Sequence, residues 1–261
     1  MLGRDRGIVN DRERGPGQAE PNAERDGSAW WVAARLTVGA VLRTAFRVRV
    51  AGAGNIPKEG GALLAYNHVS VLDPIAVSLA AARRGRVVRF LALAELFEHG
   101  WVGWGLRRTN QIPLRRGLGD WTAIEQVAEA LRAGSLAGMS PEGTVGEGAA
   151  LQPGQRGAAR IALTASVPLL PVGVWGTQRR WPKEGLHWRS PVRPVLAVAV
   201  GPPIPVSGHP RNRPQVLALT ERLMADLQEA VVVASRLAGE DDGGGPGHEG
   251  AQGTDTATPL G

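Results

Sequence analysis

The chain predicts an α/β fold, a single domain with a mixed, largely parallel sheet flanked by helices. Short apolar runs recur along the middle of the chain, they alternate with stretches of helical periodicity, and no segment repeats another. Strands separated by helices pack as a sheet covered on its faces rather than as a sandwich or a bundle.

Taken in order, residues 1–28 are charged, contain Gly and Pro and offer few apolar side chains, so they are expected to be disordered. Trp30 to Phe46 follows as an amphipathic N-terminal helix. Its apolar side chains are interrupted by Arg35 and Arg43, and paired Trp30 and Trp31 mark one end, which suits either a membrane interface or a first helix lying on the sheet. Phe46–Val50 and Ala62–Ala65 read as strands around a turn at Gly54–Gly61. Asp73-Pro74 reads as an N-cap followed by proline at the first helical position, opening a helix to about Arg84. Val87–Ala92 is a strand and Gln111–Leu114 a short extended segment. Asp120–Ala133 is the clearest helix: Asp120 caps it, Ile124, Val127, Ala128 and Leu131 make one face, and Gly134 stops it. Leu136–Met139 is a strand, Gln155–Ser166 a helix, Leu169–Val174 and Val195–Val200 strands, and Gln215–Leu237 a closing helix. From Gly239 the chain is Gly-rich and acidic without Lys or Arg. The expected organisation is therefore a disordered segment 1–28, a folded domain 29–238 and a disordered tail 239–261.

The first 28 residues hold five Arg against six acids, and the residues after Ala238 hold five acids alone. The net +6 of the whole chain thus resolves into +12 on the folded part. A basic domain favours an anionic partner: a membrane surface carrying anionic lipid, a phosphorylated ligand or nucleic acid. The last has no groove-reading or aromatic-interleaved motif behind it, and no nucleic acid is expected. There is no cysteine, which excludes disulfides, thiolate nucleophiles and Cys-ligated zinc. The five histidines lack zinc-type spacing, so no metal is expected. No apolar leader and no clean run of about 18–20 apolar residues is visible.

The chemistry concentrates in Asn67-His68-Val69-Ser70-Val71-Leu72-Asp73-Pro74. His68 offers a general base and Asp73 a carboxylate to orient it. Five residues along an ideal helix is roughly 500°, so the pair cannot meet on one helical face. A loop that folds His68 back onto the helix start brings them together, with one imidazole nitrogen on the carboxylate and the other free to take a proton. A lone histidine near an apolar strand is more often simply a satisfied side chain, so the other segments decide. Gln111-Ile112-Pro113-Leu114-Arg115-Arg116, Ser140-Pro141-Glu142-Gly143-Thr144 and Val167-Pro168-Leu169-Leu170-Pro171-Val172 follow in that order.

This order resembles the glycerolipid acyltransferases of the 1-acyl-sn-glycerol-3-phosphate (lysophosphatidic acid) acyltransferase family, over about Phe46 to Gly201. The resemblance implies the acyltransferase fold and transfer of an acyl group from acyl-CoA or acyl-carrier protein to the hydroxyl of a lysophospholipid, with no cofactor besides that co-substrate. It implies that His68 takes the hydroxyl proton and Asp73 fixes the tautomer, the logic of a catalytic triad whose serine is replaced by the substrate's own alcohol. Backbone N–H groups around Gly143 and Thr144 are the candidate oxyanion donors. Arg115 is implied in holding the acceptor's phosphate, for which a guanidinium fork is suited. Glu142 is implied in positioning the acceptor or organising its loop, and Asn67 in substrate binding beside the base. Without a Gly-x-Ser-x-Gly elbow or a cysteine, direct transfer is favoured over an acyl-enzyme. The expected location is the cytoplasmic face of the cell membrane, peripheral or monotopic.

Two departures stand out. Many family members carry Arg after Glu-Gly-Thr, where this chain has Val145, and Lys before Ala-Glu-Leu-Phe, where it has Leu93. Arg115, Arg116, Arg107, Arg108 or Arg156 could replace the lost charge, or the acceptor could be another lysophospholipid, a glycolipid or an acylated amino acid. An inactive lipid-binding relative and a thioesterase using water in place of the alcohol remain the competing classes. Trp101, Val102 and Trp104, between Leu96-Phe97 and Arg107-Arg108, read either as a membrane-facing or chain-lining element or as core packing of a short helix. Trp175, Trp181 and Trp188 are ambiguous in the same way.

Overall fold

A computed structural model describes residues 44–114, 121–144, 146, 150–179, 181, 185 and 193–239. The expected strands form, most of them within a residue or two of their predicted bounds. They are β1 (Arg47–Ala51), β2 (Ala62–Tyr66), β3 (Val88–Leu93), β4 (Ile112–Leu114), β5 (Leu136–Met139), β6 (Leu169–Trp175) and β7 (Val195–Val200). The helices are α1 (Asp73–Ala82), α2 (Gly100–Arg108), α3 (Trp121–Arg132), α4 (Gly157–Ala165) and α5 (Arg213–Ala238). The disorder expected of 1–28 and of the tail beyond Gly239 lies outside the described residues, as does most of the Trp30–Phe46 helix. Of that helix, Thr44 and Ala45 are helical and Phe46 is buried in the core.

The strands make one seven-stranded sheet in the order β1-β7-β6-β2-β5-β3-β4. Every pair is parallel except β6–β7, which is antiparallel. β2, β6 and β7 are buried along their whole length. That explains why they read as unbroken apolar runs without alternation: both faces of a mostly parallel sheet are covered. On one face Leu64, Leu170, Val172 and Leu196 pack with Ala76, Val77, Ala80 and Ala81 of α1. On the other, Leu63, Ala65, Ala137 and Leu169 pack with α3, α4 and α5 through Val127, Leu131, Ile161, Ala162 and Leu223. Gly173 of β6 permits a close helix–sheet approach, since a Cβ there would lie 2.1 Å from the Ala230 carbonyl oxygen of α5. A methyl at that position would need the helix to move, and overpacking of this kind costs about 1–3 kcal/mol.

Parallel pairing sets the function. The carboxyl ends of β2, β5 and β6 come side by side, and the loops that leave them carry Asn67-His68, Ser140–Thr144 and Gly176-Thr177. In open α/β sheets this edge is where ligands bind.

Candidate active site

His68 leaves the end of β2 and turns its ring back to α1. Its Nδ1 lies 3.0 Å from Asp73 Oδ2. The sequence expectation that Asp73 caps α1 is corrected here. Leu72 is the N-cap residue and no side-chain cap bond is made; Asp73 is already helical, and Pro74 stands next to it in the first turn. The carboxylate has another task. Asp73 Oδ2 also accepts the backbone N–H groups of Val69 and Ser70, both at 2.7 Å, while Oδ1 accepts the Thr177 hydroxyl at 2.5 Å. A cap would need the carboxylate over the first turn of the helix; instead it closes the loop that precedes it.

Asp73 is 0 % exposed, and four donors converge on it. A carboxylate oxygen already accepting from backbone accepts from Nδ1–H as well, which leaves Nε2 as the nitrogen turned away from Asp73. Tyr66, edge-on to His68 with ring centroids 6.0 Å apart, is pushed well above the usual phenol range by burial and secondarily by the Asp73 charge. It stays protonated and is no rival base.

The backbone of His68 is tied to the loop after β5. Its N–H donates to Glu142 Oε1 at 2.9 Å and its carbonyl accepts the Gly146 N–H at 2.6 Å. Glu142 Oε2 accepts from Gln152 N–H at 2.8 Å. Glu142 is 4 % exposed, and it organises the loop rather than facing an acceptor. Asn67 is likewise turned away. Its amide gives Val174 both a donor at 3.0 Å and an acceptor at 2.7 Å, so it continues the β2–β6 ladder one residue beyond the strand. Of the two roles expected of Glu142, organising its loop is the one these bonds serve, and neither Asn67 nor Glu142 lines the cavity that His68 opens into, their polar atoms being engaged by backbone.

That cavity has a volume of about 650 Å³. His68, Ser140, Gly143 and Thr144 stand at its polar end. From there it runs between α1 and β3 over Ile75, Phe90, Leu91 and Leu93, with Leu96 and Leu106 also on its wall. Gly143 has φ +72°, a left-handed conformation that glycine accepts freely, and Gly143 and Thr144 are both exposed. Leu93 is part of the apolar wall. Arg115, Arg116 and Val145 lie outside the described residues; β4, which leads to Arg115, ends beside β3 with Leu114 opposite Leu93. Arg156 is exposed at the start of α4. Among the described residues no group of three or more His, Asp or Glu side chains could hold a metal ion.

Sequence reasoning missed Thr177, which is fully buried and bonded to Asp73 across 104 residues. Ser70 was missed too; its hydroxyl donates to the Trp181 carbonyl at 2.6 Å. A hydroxyl directly after a buried strand and its Gly176 turn was the available signal. Thr177 is a positioning residue, and Thr177→Val, which keeps its shape, is expected to lower kcat roughly 10- to 100-fold, the worth of one hydrogen bond to a charged group. KM should be unchanged and Thr177→Ser should restore the rate. Steady-state kinetics of the three forms checks this, and an unaltered kcat in Thr177→Val removes the role.

The model of the Acyltransferase family matches residues 47–175. The chain is 25% identical over 185 residues to the 1-acyl-sn-glycerol-3-phosphate acyltransferase of Bacillus subtilis, spanning 70% of this chain and 87% of that protein. It is 33% identical over 168 residues to the lyso-ornithine lipid O-acyltransferase of Pseudomonas aeruginosa, spanning 64% of this chain and 60% of that one. Among solved structures, the 1-acyl-sn-glycerophosphate acyltransferase from Thermotoga maritima superposes with a TM-score of 0.52 at 25% identity, over 76% of this chain and 82% of that one. The shared sheet, its helices and the matched segment agree: this chain belongs to the acyltransferase family that includes the 1-acyl-sn-glycerol-3-phosphate acyltransferases and is an O-acyltransferase.

Proposed function

We propose that the chain transfers a fatty acyl group from acyl-CoA or acyl-carrier protein to the free hydroxyl of 1-acyl-glycerol-3-phosphate, forming phosphatidic acid at the cytoplasmic face of the membrane. The observation that carries the reading is the buried Asp73 carboxylate on His68 Nδ1 at 3.0 Å, with His68 at the polar end of a long apolar cavity. His68 Nε2 takes the proton of the acceptor hydroxyl as its oxygen attacks the thioester carbonyl. Asp73 balances the imidazolium. The tetrahedral intermediate collapses with loss of the C–S bond, and the imidazolium returns its proton to the departing thiolate. Backbone N–H groups at Gly143 and Thr144 are the proposed oxyanion donors, and Arg115 the proposed phosphate partner. The acyl chain needs an apolar environment, which the wall from Ile75 to Leu106 provides.

A second acceptor class is favoured by two observations. Leu93 makes part of the cavity apolar, and the 33% identical relative is a lyso-ornithine lipid O-acyltransferase. A lyso-lipid without a phosphomonoester would use the same base. The test is thiol release from long-chain acyl-CoA with lysophosphatidic acid, with lyso-ornithine lipid, and with no acceptor. Release that depends on lysophosphatidic acid supports the first reading, and release that depends on lyso-ornithine lipid alone replaces it with the second. Equal release without acceptor makes the protein a thioesterase.

A further inference from the structure

The described surface has one feature the chemistry above does not use. Helix α2 exposes two tryptophans, Trp101 at 85 % and Trp104 at 58 %. Large aromatic side chains that the fold does not cover are uncommon in water-facing surfaces and mark interaction sites. The alternative that these residues are core packing is excluded by their exposure. The helix is also poorly suited to stand alone in water. Three of its nine residues are glycine (Gly100, Gly103, Gly105), each about 1 kcal/mol less favourable than alanine in a helix interior. Gly103 is needed for packing, since a Cβ there would lie 2.1 Å from the Phe97 carbonyl oxygen. Gly100 and Gly105 have nothing within 4 Å.

Three further observations point to the occupant. Trp101, Trp104 and Arg108 are spaced three and four apart and so fall along one stripe of the helix. The helix carries Arg107 and Arg108 in its last turn and no acid, the nearest acids being Glu95 and Glu98 in the turn before it. Leu96, in the turn before the helix, and Val71 are 40 % and 57 % exposed and also line the cavity. An aromatic stripe ending in Arg matches the composition of elements that sit at the headgroup level of a bilayer. Among the described residues no helix is long and apolar enough to cross one.

We propose that α2, through Trp101 and Trp104 with Arg107 and Arg108, docks on the surface of a bilayer containing anionic lipid, so that the apolar cavity opens toward the lipid. This rests on the lipid-acyltransferase reading only for its purpose; the docking itself is read without catalysis. The absence of cysteine makes a single introduced thiol unique. Trp101→Cys and, as a control, Glu221→Cys are labelled with an environment-sensitive fluorophore. Glu221 is exposed on α5, across the sheet from α1. With phosphatidylglycerol vesicles the label at 101 should brighten, shift to the blue and be quenched by nitroxide lipids, while the label at 221 should not respond. In a second arm, unlabelled Trp101→Ser/Trp104→Ser protein should partition onto these vesicles at least roughly tenfold more weakly, the aromatic area at stake being large. Its turnover of a water-soluble short-chain acceptor and donor should be unaltered.

A label at 101 that stays in water, or a double variant that binds vesicles as tightly as the parent, overturns the proposal. So does a parent that self-associates through this face and a double variant that is monomeric, which would make a second copy the occupant. Vesicle binding through α2 without acyl transfer to any acceptor would sustain the docking surface and reject the catalytic reading.

Discussion

His68→Ala is expected to lower acceptor-dependent thiol release by about 10²–10⁴-fold, the usual worth of a general base. The thermal unfolding midpoint should hardly move. The imidazole is 23 % exposed, and Asp73 keeps two backbone N–H donors and the Thr177 hydroxyl when the ring is gone. The buried network therefore stays satisfied, and the loss falls on chemistry rather than on folding. Initial rates with saturating acyl-CoA and acceptor, together with a melting curve, check both halves. A variant that keeps the parent rate removes His68 from the mechanism.

Asp73→Ala should behave differently. It is expected to lower the rate as His68→Ala does and, in addition, to destabilise the protein. The N–H groups of Val69 and Ser70 lose their acceptor at a position that is 0 % exposed. Two orphaned buried donors at about 1–3 kcal/mol each amount to roughly 2–6 kcal/mol. That is a large part of an ordinary domain's stability of about 5–15 kcal/mol. Asp73→Asn separates the two effects: an amide oxygen can still accept from the loop, but it carries no charge to balance an imidazolium. Stability should return in large part and activity should not. Urea titration of the two variants beside their kinetics gives the measurement, and equal stability for both would mean that the loop does not depend on this acceptor.

The strands were legible because a sheet covered on both faces demands continuous apolar runs, and β2, β6 and β7 are such runs. Helix α3 was legible because its buried side is regular. Helix α2 was blurred by Gly100, Gly103 and Gly105, which weaken every propensity argument, and only its role in close packing on Phe97 accounts for Gly103. The meeting of His68 and Asp73 could be read from their spacing. What else holds them could not. The bonds that matter join residues 74, 104 and 107 positions apart, namely His68 to Glu142, Asp73 to Thr177 and Asn67 to Val174. Periodicity carries no information about such pairings; they follow from which strand ends become neighbours. For the same reason Asp73 was read as a local helix cap when its partners are a loop and a distant strand end.

The three loops at the carboxyl edge are joined to one another at their bases and left open at their tips. His68 is held by the loop after β5 through both sides of its peptide unit, and Asp73 by the loop after β6. Gly143 and Thr144, at the tip, are exposed. Inheritance can act on these two levels separately. A side chain changed at a tip leaves the bonds around the His68–Asp73 pair in place, whereas a change at a base disturbs them at once. A lineage built this way can diversify its acceptors by drift at a handful of exposed positions while its reaction stays the same.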